Sequence, residues 1–285
     1  MFVTTSDSVK LFVKRSGNGF PVLFIHGGPG SNSYYFEAEG GNVFEKDVQM
    51  IYLDQRGCGR SDTANNNDYS LARMVKDFEE VRKALKYDQW IIMPHSFGGI
   101  LATEYASTHP ESIKAMVYLN CTVDINSSAK SGIKRTIEIL NLNEQEKNYL
   151  LNDSVPLLER WGNAFWHLKN QDMVYAVMFD KKESYKLDST LINQPFIQKY
   201  HFASRVWNYP EYFKSFSDRT ATIDIPVLVI SGSRDYTIGT DHTKLIRFPN
   251  MTLKTVPGGH ALYLEQNKQL YKAVSPFLKK YSKHG

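Results

Sequence analysis

The chain has 285 residues, 42% of them hydrophobic, and its 34 basic and 30 acidic residues leave a formal net charge of +4. This composition is typical of a globular protein with one large core, or a core with one sizeable insertion, and it excludes a disordered chain. The only compact basic run, 279–285, is expected to be a frayed tail, so no nucleic-acid partner is expected.

The predicted elements begin with a hairpin at the edge of a sheet, formed by residues 2–5 and 9–15. Short, nearly uninterrupted apolar runs follow, as expected for strands that are covered on both faces. They are PVLFIH at 21–26, VQMIYLD at 48–54, WIIMP at 90–94 and IKAMVYLN at 113–120. Apolar side chains recur at helical spacing over 71–87, where Ser70 is available as the N-cap. This alternation of strand and helix predicts an α/β fold, with a mostly parallel sheet and helices on both faces.

The alternation stops after the fourth run, and the chain that follows is helix-like and rich in aromatic residues. It resumes with the apolar run 225–232 and ends with a predicted helix over 264–282. We therefore predict an α/β core formed by 1–121 and 219–285, with a helical cap domain, 122–218, inserted as a lid.

A serine follows the third apolar run, at the carboxyl end of a predicted strand, where functional groups of parallel sheets gather. Ser96 has Gly98 and Gly99 behind it, which is typical of a nucleophile elbow, although Pro94 replaces the first glycine of that pattern. Taken alone, Ser96 could equally be the N-cap of the helix that follows.

Two further polar residues, Asp235 and His260, follow the late apolar runs. With Ser96 they give the chain order Ser, Asp, His, which is the order of the α/β-hydrolase catalytic triad. A serine hydroxyl is a weak nucleophile until an imidazole takes its proton, and a carboxylate orients that imidazole. We therefore predict Ser96 as nucleophile, His260 as base and Asp235 as the orienting acid. The backbone N–H groups of Gly28 and Phe97 are the predicted oxyanion hole.

Neighbouring residues are weaker candidates for these roles. Asp224 precedes its strand and so lies at the wrong end of the sheet, and Asp241 is more simply explained as a helix N-cap. His95, beside the nucleophile, is expected to pack locally. The two cysteines, Cys58 and Cys121, stand in no disulfide or metal pattern and are expected to be buried. The histidines also lack a metal-binding spacing, so neither a metal nor another cofactor is expected.

Five segments together resemble the proline iminopeptidase family of α/β-hydrolases. They are HGGPG at 26–30, DQRGCGRSD at 54–62, the elbow at Ser96, SGSRD at 231–235 and GGH at 258–260. The resemblance implies a serine peptidase that removes N-terminal residues, proline above all, under a helical cap. It also implies that 54–62 is chiefly a structural loop.

The cap departs from the family at the expected substrate contacts. Family members resemble one another in a W-x-x-W-E segment whose glutamate receives the amino group of the substrate, whereas here His167 follows Trp166. An imidazole is a poor partner for an ammonium group. The cap acids that could replace the glutamate are Glu138, Glu159 and Glu211, and the substrate contacts expected from the sequence are Gly27, Trp166, His167 and Trp207.

The sequence thus predicts an acyl-enzyme mechanism on a small amide or ester, and the resemblance favours an aminopeptidase of the proline iminopeptidase type. A carboxylesterase or lactonase is the alternative, and a non-catalytic small-molecule binder is a remote one. The expected partner is a small molecule or short peptide. Because neither a leader nor a run of membrane-spanning length is apparent, we expect a cytoplasmic protein without a membrane partner.

Overall fold

An eight-stranded sheet forms the centre of the computed structural model, which describes residues 1–194, 197 and 199–283. Its order is β1-β2-β4-β3-β6-β7-β9-β10; β2 runs antiparallel to β1 and β4, and all other neighbours are parallel. A separate antiparallel pair joins β5 to β8. The strands are β1 (Phe2–Thr4), β2 (Lys10–Ser16), β3 (Pro21–Ile25), β4 (Gln49–Leu53), β5 (Cys58–Gly59), β6 (Trp90–Ser96), β7 (Ile113–Cys121), β8 (Lys199–Tyr200), β9 (Val227–Gly232) and β10 (Met251–Val256).

Helices cover both faces of this sheet. Side chains of a strand alternate between faces, so Leu23 of β3 packs in a core with Phe78, whereas Phe24 packs in a second core with Leu270 and Val274. The helices are α1 (Leu71–Ala84), α2 (Gly98–Thr108), α3 (Ile125–Ile139), α4 (Glu144–Leu151), α5 (Leu157–Asn170), α6 (Tyr175–Met178), α7 (Lys182–Ile192), α8 (His201–Arg205), α9 (Ser217–Thr220), α10 (Leu262–Glu265) and α11 (Asn267–Tyr281). The predicted α/β fold, with a mostly parallel sheet, is confirmed.

Three local predictions, for the start of α1, the closing helix and the C-terminal tail, agree with the structure in part. Helix α1 begins after Ser70, whose hydroxyl accepts from the Arg73 N–H, so the predicted N-cap is confirmed. The predicted closing helix is wrong in its first residues, because α10 and α11 are separate helices on either side of Gln266. The tail prediction is also wrong at its start, since α11 continues to Tyr281; residues 284–285 lie outside the described residues.

The segment between β7 and β9 is helical, as its composition predicts, and contains α3 to α9. Helices α3, α4 and α5 share a small apolar core that includes Ile133, Leu150 and Leu168. That 122–218 forms a separate cap domain stays a prediction. Over the part of the chain that the structure describes, no helix combines the length and apolar character needed to cross a membrane.

The 54–62 loop is held by buried ion pairs, as expected of a structural loop. The Arg56 guanidinium is fully buried and donates to Asp77 Oδ2 over 2.5 Å and to Asp7 Oδ2 over 2.8 Å. Cys58 of the same loop is buried and free, as is Cys121. The loop also fixes the 26–30 turn, because Gln55 N–H donates to His26 Nε2 over 3.0 Å.

Arg56→Ala is expected to lower the free energy of unfolding by about 3 kcal/mol, at the lower end for a broken buried ion pair, because the buried Asp77 carboxylate loses Arg56 but keeps Arg73. Urea unfolding followed by circular dichroism measures the change. Arg15→Ala, at an exposed arginine on β2, is the control and should change the value by less than about 0.5 kcal/mol. Equal effects of the two substitutions would contradict a stabilising role for the Arg56 network.

Candidate active site

Ser96 stands at the sharp turn between β6 and α2. Its backbone is left-handed, with φ of +55°, a conformation that a nucleophile elbow imposes on its serine. The turn depends on the glycines behind it: a Cβ on Gly98 would lie 2.3 Å from Ile25 O, and one on Gly99 would lie 2.6 Å from Cys121 Cβ. Ser96 is therefore on an elbow rather than in an ordinary N-cap conformation.

The predicted acid and base are paired. His260 Nδ1 lies 2.8 Å from Asp235 Oδ2, and the Asp235 side chain is almost completely buried. The second carboxylate oxygen, Oδ1, accepts from the N–H groups of Thr237 (3.1 Å) and Ile238 (3.2 Å). Both oxygens thus have partners, which fixes the carboxylate and orients the imidazole through its Nδ1 proton.

Ser96 and His260 line one cavity of about 300 Å³, which also includes residues of the 26–30 loop. Among the described residues, no hydrogen bond joins Ser96 Oγ to His260. The structure therefore brings the serine and the imidazole to the same cavity, with Asp235 paired to the imidazole. The hydrogen bond between Ser96 Oγ and the His260 ring, which a catalytic triad needs, is not formed.

Two backbone N–H groups beside Ser96 lack an acceptor within the described parts of the chain: those of Gly28 and Phe97. The loop that carries Gly28 approaches the elbow closely, because a Cβ on Gly27 would lie 2.6 Å from Ser96 Cβ. Gly28 itself has φ of +120°. Gly27 and Gly28 both line the Ser96 cavity, and the N–H groups of Gly28 and Phe97 stay the predicted donors of an oxyanion hole.

A second, more apolar cavity of about 160 Å³ also reaches Ser96, on the side of Phe97. Its lining includes Trp207, a substrate contact expected from the sequence, whose ring stacks on Phe213 at a centroid distance of 5.6 Å. Trp161 and Leu158 of α5 line it as well. This cavity can take an uncharged part of a substrate.

The structure does not bring Trp166 and His167 to either cavity. Leu158 and Trp161, three residues apart, share the face of α5 that lines the second cavity. Trp166 and His167 follow Trp161 by five and six residues, so helical geometry turns them away from that face. The Trp166 side chain is 56% exposed, and His167 is buried near Glu146. Their assignment as substrate contacts has no support in this geometry.

The three suggested cap acids also lie away from both cavities. Glu138 pairs with Lys134 and Arg135 on its own helix. Glu159 accepts from the Tyr149 hydroxyl over 2.7 Å, and Glu211 accepts from a backbone N–H of α1. None of them replaces the family glutamate at the nucleophile.

A carboxylate that the sequence analysis missed does line the Ser96 cavity. Asp188, on α7, is partly buried, and no hydrogen bond or ion pair joins it to another described residue. Burial disfavours its charged form and raises the pKa of Asp188 to about 6, while the neighbouring His260 acts in the opposite direction. No local motif marks this residue, because only the packing of α7 over the cavity distinguishes it from other helical aspartates.

The structure gives none of the remaining candidates, His95, Asp224 and Asp241, a place in the Asp235–His260 pair. His95 packs locally: its Nε2 lies 3.1 Å from His260 O, and burial lowers its pKa to about 3. Asp224 is exposed and accepts from Asn250. Asp241 precedes a short 3₁₀ helix but its side chain makes no capping hydrogen bond; it pairs with Lys244 instead, so that detail is wrong.

The fold and these residues define an α/β-hydrolase, and comparison with known proteins agrees. The chain belongs to the alpha/beta hydrolase fold family, whose model matches residues 21–266. The proline iminopeptidase of Lactobacillus delbrueckii subsp. bulgaricus is 27% identical over 278 residues, 90% of this chain and 89% of that protein. The proline iminopeptidase of Neisseria gonorrhoeae is 38% identical over 120 residues, 41% of this chain and 38% of that protein. The resemblance to this family is therefore confirmed.

Two solved structures are similar over nearly the whole chain. The proline iminopeptidase-related protein from Thermus thermophilus has a TM-score of 0.80 at 19% identity, covering 98% of this chain and 97% of that one. An esterase from Exiguobacterium antarcticum has a TM-score of 0.73 at 18% identity, covering 98% and 99%. At these identities the similarity shows the shared fold alone.

Proposed function

We propose that the protein is a serine hydrolase with Ser96, Asp235 and His260 as its catalytic triad. Ser96 Oγ attacks the substrate carbonyl carbon while His260 Nε2 takes the hydroxyl proton, and the N–H groups of Gly28 and Phe97 receive the oxyanion. His260 then gives the proton to the leaving amine or alcohol. Water, deprotonated by His260, hydrolyses the acyl-enzyme and frees Ser96. The paired Asp235 and His260 at the Ser96 cavity support this mechanism.

Within this class, we propose an aminopeptidase of the proline iminopeptidase type, acting on a small molecule or short peptide. Asp188 is the observation that carries the proposal, because it is a carboxylate without a described partner in the cavity that Ser96 lines. Above its pKa of about 6 it is charged and would attract the ammonium of an N-terminal residue. The second, aromatic cavity would take the uncharged part of such a substrate. Action in the cytoplasm stays a prediction.

A carboxylesterase or lactonase is the second candidate. Apart from Asp188 and His260, the cavity lining is dominated by aromatic, glycine and other uncharged residues, which suits an acyl ester without an amino group. Turnover of p-nitrophenyl acetate and an acyl lactone, compared with that of proline and alanine anilides, separates the two candidates. Measurable ester turnover with no anilide turnover would remove the peptidase proposal.

Asp188→Asn is expected to lower kcat/KM for proline anilide by roughly 10- to 100-fold, mostly through KM. The loss corresponds to one hydrogen-bonded ion pair, about 1.5–3 kcal/mol. Ester turnover should be unchanged, because the ester has no ammonium group. In the wild type, the ratio of anilide to ester kcat/KM should fall as the pH drops through about 6, since Asp188 then becomes neutral.

The substrate ratio isolates Asp188, because a change at the shared triad affects turnover of both substrates alike. Asp153→Asn, at an exposed cap aspartate, is the matched control and should leave the ratio unchanged. Equal losses on anilide and ester in Asp188→Asn, or a wild-type ratio that does not change between pH 5 and 8, would sink the amine-binding role. The triad proposal would survive that result.

A further inference from the structure

The backbone of the catalytic imidazole, at Gly259 and His260, is held by the segment 178–181, which connects α6 to α7. His260 N–H donates to Met178 O over 2.7 Å. Contact is so close at the preceding residue that a Cβ on Gly259 would lie 2.7 Å from Met178 O and 2.9 Å from Phe179 Cα. The loop of the base is thus fitted against residues that themselves line the Ser96 cavity.

One carboxylate joins this segment to the loop of the base. Glu265 Oε1 accepts from Asp180 N–H over 2.6 Å and from Lys181 N–H over 3.3 Å, while Oε2 accepts from Gly259 N–H over 2.9 Å. Both oxygens of Glu265 are therefore occupied by backbone donors from two parts of the chain that are about 80 residues apart. This arrangement needs two acceptor oxygens on one side chain.

The loop of the acid is attached to the same segment. Arg234, which immediately precedes Asp235, donates through Nε to Asp180 Oδ1 over 2.6 Å and through a second nitrogen to Asp180 Oδ2. From the core side, Asn120 Nδ2 donates to the carbonyls of Gly259 (2.9 Å) and His260 (2.7 Å). Two sets of contacts therefore hold the loop of the base. One comes from Asn120 of β7, in the sheet, and the other comes from the segment 178–181, outside the sheet.

We propose that Glu265 is a positioning residue for the His260 imidazole, acting through the backbone of Gly259 and the segment 178–181. This inference rests on the proposed triad. Glu265 touches no part of the Ser96 cavity, so its effect is on where the imidazole stands rather than on substrate binding. Helix α7, which carries Asp188, begins directly after this segment. The Glu265 carboxylate therefore connects the helix over the cavity to the loop of the catalytic base.

Glu265→Gln is the test, because an amide keeps the size of the side chain but replaces one acceptor oxygen with a donor. Its NH₂ group would face either Gly259 N–H or Asp180 N–H, and one of the two attachments must open. We expect kcat for the preferred substrate to fall at least tenfold and up to about 10²-fold, as for a misplacement of about 1 Å. KM should stay within about twofold, because the substrate contacts remain.

A spectroscopic readout distinguishes positioning from stability alone. The proton between His260 Nδ1 and Asp235 should give a downfield proton NMR signal, which Glu265→Gln should shift or broaden. Glu183→Gln, at an exposed glutamate in the first turn of α7, is the control and should leave kcat and the signal unchanged. A Glu265→Gln protein that is less stable but keeps wild-type kcat and the wild-type signal would overturn the inference.

Glu265→Asp covers the case in which Glu265→Gln does not fold. It keeps two acceptor oxygens on a shorter side chain, so we expect a loss of kcat smaller than that of the amide, with the same direction of change in the NMR signal. Wild-type kcat and signal in Glu265→Asp would then overturn the inference. Failure of the triad itself is recognised separately, because wild-type protein would not react with a fluorophosphonate probe.

Discussion

Ser96→Ala is expected to abolish labelling by a fluorophosphonate probe and to lower kcat for every ester and anilide substrate by about 10⁶-fold. The probe forms a covalent bond to an activated serine oxygen, and alanine has no side-chain oxygen. Residual rate above water, on the order of 10³-fold, would come from the free N–H groups of Gly28 and Phe97 and from substrate binding. Mass spectrometry of the labelled peptide and steady-state kinetics measure the two effects.

This loss should occur in a folded protein. Alanine meets the same backbone penalty as serine at a φ of +55°, so the free energy of unfolding should change by less than about 0.5 kcal/mol. Ser96→Gly should be more stable than the wild type, because glycine adopts the left-handed conformation without strain. For other residues this strain amounts to about 1–3 kcal/mol. Ser154→Ala, at an exposed serine, is the labelling control. Labelling of Ser96→Ala at the wild-type rate would place the nucleophile elsewhere.

The sheet could be predicted because burial on both faces leaves a mark in the sequence itself. The run 113–120 is almost continuously apolar, and every residue of β7 except Lys114 is buried. The separation of α10 from α11 could not be predicted in the same way. It depends on one residue, Gln266, whose φ of −135° and ψ of 35° interrupt an otherwise helical pattern.

The candidate site divides along similar lines. Ser96, Asp235 and His260 stand at the ends of separate parallel strands, so the topology of the sheet brings them to one edge once the strands are known. Asp188, in α7, and Glu265, at the end of α10, belong to no motif. The position of Asp188 and the contacts of Glu265 with Asp180 and Lys181 depend on how the segment between β7 and β9 packs on the core. Trp166 illustrates the same limit, because the helical phase of α5 turns it away from the second cavity.

Asp235→Asn should lower kcat/KM on the order of 10⁴-fold, because it leaves His260 in the wrong tautomer. The Oδ1 atom of the introduced amide would keep the two backbone N–H donors, those of Thr237 and Ile238, so the NH₂ group would have to face His260 Nδ1. That ring nitrogen must then accept, and the ring proton moves to Nε2, where it prevents the imidazole from receiving the proton of Ser96.

The matched control is Asp241→Asn, at the rival aspartate, whose side chain is exposed and pairs with Lys244; its kcat/KM should stay within about twofold of the wild type. Steady-state kinetics on the preferred substrate, with thermal unfolding measured in parallel, compares the two variants. Because the N–H groups of Gly28 and Phe97 and both cavities are untouched by Asp235→Asn, competitive inhibitors should bind with unchanged affinity. A large loss in Asp241→Asn with an active Asp235→Asn would reverse the assignment of the acid, while weakened inhibitor binding in Asp235→Asn would mean that Asp235 shapes the cavity rather than orients the base.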